Sequence, residues 1–254
     1  MDTYKNKKAV VIGGTSGLGY AVVERLAKGA AKVILTGREQ EKINEAQEAY
    51  KDRVVGFRSN ITSIDEIKQL GEDIKERFGN FDYLFINAGI CEVATLNDIT
   101  EDSYDRQFAI NTRGALFTIQ KLVPLMNDGG AIVFTSSIAA YTAMPGGIVY
   151  SATKAALVSM SKVLAAELAP RAIRVNAVSV GFANTPTMGM VSLSPEEKQS
   201  FADEGKKSAP MGRLARVDEF AAAAVFLAHD ATFVTGVNLP LDGGIGLGVF
   251  ALSQ

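Results

Sequence analysis

The chain predicts an α/β fold, a doubly wound parallel sheet of about seven strands with helices on both faces, and three observations carry that prediction. Short apolar, β-branched runs alternate with amphipathic stretches of helical period along the whole sequence. The first such unit is a strand, a glycine-rich turn and a helix in that order, between Lys8 and Lys28. Polar residues and glycines stand at the carboxyl ends of successive apolar runs, the edge at which open parallel sheets bind ligands. Because strand–helix–strand crossovers are right-handed, these units stack into one sheet and bring those ends into a single crevice.

Taken in order, Lys8 to Ile12 reads as a buried strand, followed by Gly13-Gly14-Thr15-Ser16-Gly17-Leu18-Gly19 and a helix from Tyr20 to Lys28. Glycines there let the backbone approach a pyrophosphate, which the helix amino terminus attracts through its free N–H groups. Lys32 to Thr36 is a second strand, closed by Gly37 and Arg38, and helical spacing resumes from Glu39 to Tyr50. Val54 to Arg58 is strand-like, Ser63 to Phe78 is a charged amphipathic helix, and Tyr83 to Ile86 is a fourth strand ending in Asn87-Ala88-Gly89. A long helix is expected from Glu101 to Met126 with Asn111 in its apolar face, then a strand from Ala131 to Ser137. A helix from Tyr150 through Leu168 and a sixth strand from Ile173 to Val178 follow.

The segment 182–213 breaks this rhythm with three prolines and three methionines. It follows the sixth strand, where a lid over the crevice would sit, and Met188, Met190, Val191 and Leu193 suit a covered surface better than a solvated loop. An alanine-rich helix from Val217 to Ala228 and a short strand from Val237 to Leu241 lead to Asp242-Gly243-Gly244. No linker or shift in composition divides the chain, so one domain is expected over residues 1–254.

Composition narrows the function. With 47% hydrophobic and 21% charged residues, the chain has the balance of a globular protein that buries a sizeable core. A net charge of -2 without a dense block of lysine or arginine leaves no footprint for nucleic acid or an anionic membrane. Cys91 is the only cysteine, so no disulfide forms within the chain, which fits a cytoplasmic location. The apolar run after Lys5, Lys7 and Lys8 is too short for a secretory leader or a membrane span. One histidine and one cysteine do not make a zinc site of familiar type, and no metal is expected.

Reaction chemistry concentrates between Ser137 and Lys154. Ser137 ends a strand, and Tyr150 and Lys154, four apart, share one face of the helix that follows. A lysine ammonium beside a phenol favours phenolate and lowers the phenol pKa, so the proton is more easily given, while a hydroxyl such as Ser137 can hold the substrate oxygen that receives it. Tyr-x-x-x-Lys also arises by accident on amphipathic helices. The order of the remaining motifs is what favours chemistry here.

Gly13-x-x-x-Gly17-x-Gly19, Asn87-Ala88-Gly89, Asn111, Ser137 with Tyr150-x-x-x-Lys154, Gly181 with Thr185, and Asp242-Gly243-Gly244 together resemble the short-chain dehydrogenase/reductase family in its single-domain, Rossmann-like form, over essentially the whole chain. The resemblance implies NAD(P)-dependent interconversion of carbonyl and alcohol. In it Tyr150 is the acid of reduction, Ser137 holds the substrate oxygen, Lys154 lowers the Tyr150 pKa and binds the nicotinamide ribose, and Asn111 holds a water in a proton relay. Thr15, Ser16 and Leu18 complete the phosphate turn, Asn87, Ala88 and Gly89 border it, and Gly181 and Thr185 orient the carboxamide. Asn60, with Ile61 beside it, stands where an aspartate usually meets the adenine amino group, and an amide oxygen can still accept there. Ile12, Ile86 and Val180 replace residues the family more often has, which reads as altered structural bonding rather than lost chemistry.

An NAD-selective site places a carboxylate after the second strand to accept from the ribose 2′-hydroxyl. Here that position is Gly37 and Arg38 follows, a residue that forks onto a 2′-phosphate, so NADP(H) is favoured over NAD(H) although Ser16 is not basic. The expected activity is NADPH-dependent reduction of a small or medium ketone in an apolar pocket bounded by Ala139, Tyr141, Met144, Phe182 and the lid methionines, in a homotetramer. The competing readings are an NAD-dependent alcohol or sugar dehydrogenase, a β-ketoacyl-acyl carrier protein reductase docking through Arg171 and Arg174, and a non-catalytic nicotinamide sensor. Cys91 reads as small filler, His229 as a ring suited to a helix carboxyl end, and Asp242 as the organiser of the last turn.

Overall fold

The computed structural model describes residues 3–185, 190–191 and 193–247. Their strands are β1 (Lys8–Ile12), β2 (Lys32–Gly37), β3 (Val54–Arg58), β4 (Phe81–Ile86), β5 (Met126–Ser137), β6 (Arg174–Val180) and β7 (Asn238–Leu241), all parallel in the order β3-β2-β1-β4-β5-β6-β7. The chain winds outward from β1 to one side, crosses back to β4 and winds outward to the other. The switch point therefore lies between β1 and β4, where the carboxyl ends part and leave a crevice.

The helices are α1 (Gly17–Lys28), α2 (Gln40–Ala49), α3 (Ile64–Arg77), α4 (Glu101–Phe108), α5 (Ala115–Leu122), α6 (Ile148–Glu167), α7 (Pro195–Ser208) and α8 (Val217–His229). Two buried clusters show why the sheet is covered twice. Ala9 and Val11 of β1 join Val23 and Leu26 of α1, Ile43 of α2 and Phe220 and Ala224 of α8. Val10 and Ile12 join Leu70 and Ile74 of α3, Ile119 of α5 and Leu157 of α6. Alternate side chains of one strand thus feed opposite cores, which a continuous apolar run permits.

Two elements differ from expectation. The long helix is not regular: α4 passes into a π-helical stretch at Ala109–Gly114, which holds Asn111, before α5 resumes. Met126 does not end that helix but begins β5, pairing with Phe81, after which Asn127 to Gly130 bulge out and Ala131 pairs with Tyr83. Segment 182–213 is not a bare loop either, since it contains α7. Ser194 accepts from Glu197 N–H and the Glu197 carboxylate accepts from Ser194 N–H, a reciprocal cap that the Ser-x-x-Glu spacing encodes. The segment leaves and rejoins the body side by side, Ala183 bridging Ala215.

Candidate active site

Gly13 and Gly19 form the floor of the first crevice. Gly13 takes φ +76°, and a Cβ on it would stand 2.8 Å from Ala88 Cα; one on Gly19 would stand 2.1 Å from Gly13 O. Only hydrogen fits at either position. Asn87 ties the strands together, its Nδ2 donating to Gly13 O at 3.0 Å and its Oδ1 accepting from Thr135 Oγ1 at 3.0 Å. The amino terminus of α1 faces this floor. Ser16 forms no side-chain cap and the first turn carries no acidic residue, so its N–H groups suit a pyrophosphate.

Two adjoining clefts share Ser16, Asn87 and Gly89. The smaller, about 200 Å³, is lined by Gly13, Thr15, Arg38, Asn60, Ile61 and Ala88 among others. The larger, about 530 Å³, takes in Gly17, Leu18, Ser137, Tyr150, Lys154, Gly181 and Thr185. The residues expected to hold cofactor and those expected to do chemistry therefore meet along one continuous crevice. Gly19 lies just behind it, and Asn111, fully buried, lies beneath Gly89, whose Cβ would come within 3.3 Å of Asn111 Oδ1 and 3.2 Å of Lys154 Nζ.

Side-chain detail alters three expectations. The expected fall in the Tyr150 pKa is not found: burial pushes the phenol above its ordinary value, Cys91 adds to that, and the Ser137 hydroxyl opposes it. Lys154 Nζ sits 5.5 Å from the Tyr150 ring centroid and donates to Thr135 O at 3.0 Å, and burial lowers its own pKa to about 8. Desolvation is the largest influence on both groups. The Asn111 amide is largely engaged, Nδ2 donating to Ile90 O and Thr153 Oγ1 and Oδ1 accepting from Ile90 N–H, so of its side chain only the second lone pair of Oδ1 is left for a water. Thr153 in turn donates to Tyr150 O at 2.7 Å, so Asn111 positions the first turn of α6. The Asn60 oxygen already accepts from Thr62 N–H and Thr62 Oγ1, which leaves its Nδ2, a donor, for a ligand.

Ala139, Met144, Phe182 and Met190 line the larger cleft as expected, but Tyr141 does not; it is exposed and lies beside Gly246. Met188 is outside the described residues, and Val191 is exposed rather than covered. Met190 is buried and bridges Cys91, with Val191 N–H donating to Cys91 O, so the segment touches the body across the cleft. Cys91 itself is buried and its thiol is pushed up to about 12 by burial, so it stays protonated and is no nucleophile. Sequence reasoning missed Phe201, Glu204 and Ser208 of α7 and Ile245 in the lining. The Ser194 capping box was the signal that could have put α7 on the page. Asp242 does organise the last turn, accepting from Gly244 N–H and Gly246 N–H.

A family model described as enoyl-(acyl carrier protein) reductase matches residues 13–246. A solved short-chain dehydrogenase/reductase from Serratia marcescens superposes with a TM-score of 0.87 at 31% identity, covering 96% of this chain and 99% of its own. A cis-2,3-dihydrobiphenyl-2,3-diol dehydrogenase of Paraburkholderia xenovorans is 36% identical over 96% of this chain and 92% of its own length. The chain belongs to the short-chain dehydrogenase/reductase family. A 3-oxoacyl-(acyl-carrier-protein) reductase of Thermotoga maritima, 34% identical over 95% of this chain and 98% of its own, is a further relative. Membership makes the protein a nucleotide-dependent oxidoreductase of small organic substrates, and the glycine floor with its uncapped helix start fits that cofactor.

Proposed function

We propose that the protein is an NADPH-dependent reductase of small or medium, largely apolar ketones. The observation that carries this reading is the meeting of Tyr150, Ser137 and buried Lys154 in one cleft that Met144, Phe182 and Met190 also line. A bound nicotinamide supplies hydride in reduction and accepts it in oxidation. Tyr150, kept protonated by its burial, gives its proton to the carbonyl oxygen, and Ser137 Oγ holds that oxygen. Lys154, an ammonium below about 8, stabilises the phenolate left behind. Asn111 is a positioning residue, acting through Ile90 and Thr153.

Two contacts favour the phosphorylated cofactor. A Cβ at Gly37 would lie 2.4 Å from Thr15 Cγ2, so no carboxylate fits there unless Thr15 moves. Arg38 borders the same cleft, and Arg58 Nε donates to Arg38 O at 3.3 Å, bringing a second cation to that corner. The acyl-carrier reading loses its docking patch, because Arg171 pairs with Asp128 and Arg174 is occupied by carbonyls of the α8 end, both at the sheet edge away from the cleft. A cytoplasmic homotetramer belongs to the same proposal. In support, exposed Leu116 of α5 lines a hollow with Phe108, Phe117 and Met160, and Val163 of α6 is exposed as well.

Titration with NADPH and NADH, followed by nicotinamide emission because the chain has no tryptophan, tests the assignment. NADPH should bind much the tighter, and Arg38→Ala should weaken it by about tenfold while leaving NADH within about twofold. Equal or tighter binding of NADH by the unaltered protein would turn the reading towards alcohol oxidation with NAD.

A further inference from the structure

Among the described residues lining the larger cleft, only two carry a formal charge, Lys154 and Glu204. Lys154 is buried beside Tyr150 at the chemical end. Glu204 belongs to α7 and is exposed to solvent. On that helix Phe201, Glu204 and Ser208 recur at spacings of three and four and so share one face, the face turned to the cleft. The helix is seated closely: a Cβ at Gly205 would stand 2.3 Å from the Phe182 ring, and the Phe182 and Phe201 rings lie 4.7 Å apart at 47°.

The carboxylate at this wall has no cation of its own. Its polar contact is the Ser208 hydroxyl, which donates to Oε1 at 3.4 Å, and among the described residues it forms no ion pair, Lys206 being engaged with Asp203. A carboxylate in a cleft that two aromatic rings also line is unfavourable for an anion. It suits a cation, which gains from the charge and from the ring quadrupoles together; a hydroxyl would gain only from the carboxylate. The cleft thus holds a proton donor, Tyr150 on α6, and a carboxylate carried by a different helix, α7.

We infer that the protein prefers carbonyl substrates, and the corresponding carbinols, that carry a protonated amine at the end remote from the reacting carbon, with Glu204 and the Phe182–Phe201 pair holding the ammonium. The inference rests on the carbonyl–alcohol reading above and names its substrate class, an amino ketone with a ring or short apolar spacer.

A matched pair tests it: 4-(aminomethyl)acetophenone and 4-ethylacetophenone differ in an ammonium for a methyl. Their affinities are measured by titration calorimetry with the full chain and whichever oxidised cofactor the emission titration selects, so that no turnover is needed. The ammonium ketone should bind about fivefold or more tightly than its neutral twin. Glu204→Gln should bring the ratio close to one and Glu204→Lys should invert it, while Phe201→Leu should lower it in part. A ratio near one in the unaltered protein, or a ratio unchanged in Glu204→Gln, overturns the inference. So does equally tight binding of 4-(hydroxymethyl)acetophenone, which would make the wall a hydroxyl site. Reduction of both ketones with no ammonium preference breaks this inference alone; the preference with no reduction of either breaks the reductase reading alone.

Discussion

The two edges of the one sheet are built from the same strands and behave oppositely. At the amino edge several cations meet acceptors from the protein itself. Arg174, at the start of β6, donates to Leu227 O, Ala228 O and Ala231 O at the end of α8; Lys8 Nζ donates to Phe78 O after α3; and Arg171 donates to Val123 O and Met126 O after α5. Tyr83 and His229 add a hydrogen bond of 2.8 Å. At the carboxyl edge lie the clefts, the uncapped start of α1, and three groups, Tyr150, Lys154 and Cys91, that burial moves from their ordinary pKa.

The difference follows from the crossover. Each helix after a strand runs back antiparallel to it, so helix carboxyl ends, with their orphan carbonyls, collect at the amino edge, and helix amino ends, with their orphan N–H groups, collect at the carboxyl edge. This chain covers the first set with its own arginines and lysine. The second set faces the crevice and suits an anionic ligand. One edge is thereby a stability element and the other a site, and substitutions should separate the two.

The largest separation is expected at Tyr150. Tyr150→Phe should lower turnover by about 10²- to 10⁴-fold while leaving cofactor affinity and the urea midpoint unchanged; full activity in steady-state assays would refute the acid role. Arg174→Ala should do the reverse. Loss of its carbonyl bonds should cost roughly 2–4 kcal/mol in urea unfolding, with turnover per folded molecule unchanged. An Arg174→Ala protein as stable as the original would remove the distinction between the edges.

Lys154 sharpens the comparison because it should show function bought against stability. Its folded pKa of about 8 lies below its ordinary 10.5, so between those values the unfolded chain binds more protons and stability rises with pH. Lys154→Met should therefore abolish most activity yet raise stability at pH 7 by roughly 1–3 kcal/mol, the lost bond to Thr135 O offsetting part of the relief. That advantage should shrink as pH rises from about 8 towards 10.5. Urea melts at the two ends of that window check the sign, and a loss of stability at pH 7 would mean that burial is not what moves Lys154.

Much of the site was legible because its signals are local. Gly13, Gly17 and Gly19 sit between a strand and a helix, Tyr150 and Lys154 are one helical turn apart, and Ser137 ends an apolar run, so spacing alone groups them. What spacing could not convey was which way a side chain faces or what already occupies it. Tyr141 has the composition of a pocket residue but turns towards Gly246, and Arg171 and Arg174 look free in a sequence because their acceptors are backbone carbonyls 45 to 57 residues away. The π-helical turn at Asn111 is equally silent, since the Asn111 partners within it, Ile90 and Thr153, come from other parts of the chain.

By itself the sequence determined the parallel α/β sheet, the crevice at its carboxyl edge and the residues that meet there, since periodicity and crossover handedness leave little choice. Only the tertiary structure decided the direction in which Tyr150 and Lys154 titrate, the occupation of Asn60 and Asn111, and the arrival of Glu204 in the cleft of Tyr150 and Lys154. Desolvation and hydrogen-bond saturation depend on everything packed around a group, and those neighbours come from strands and helices far away in the chain.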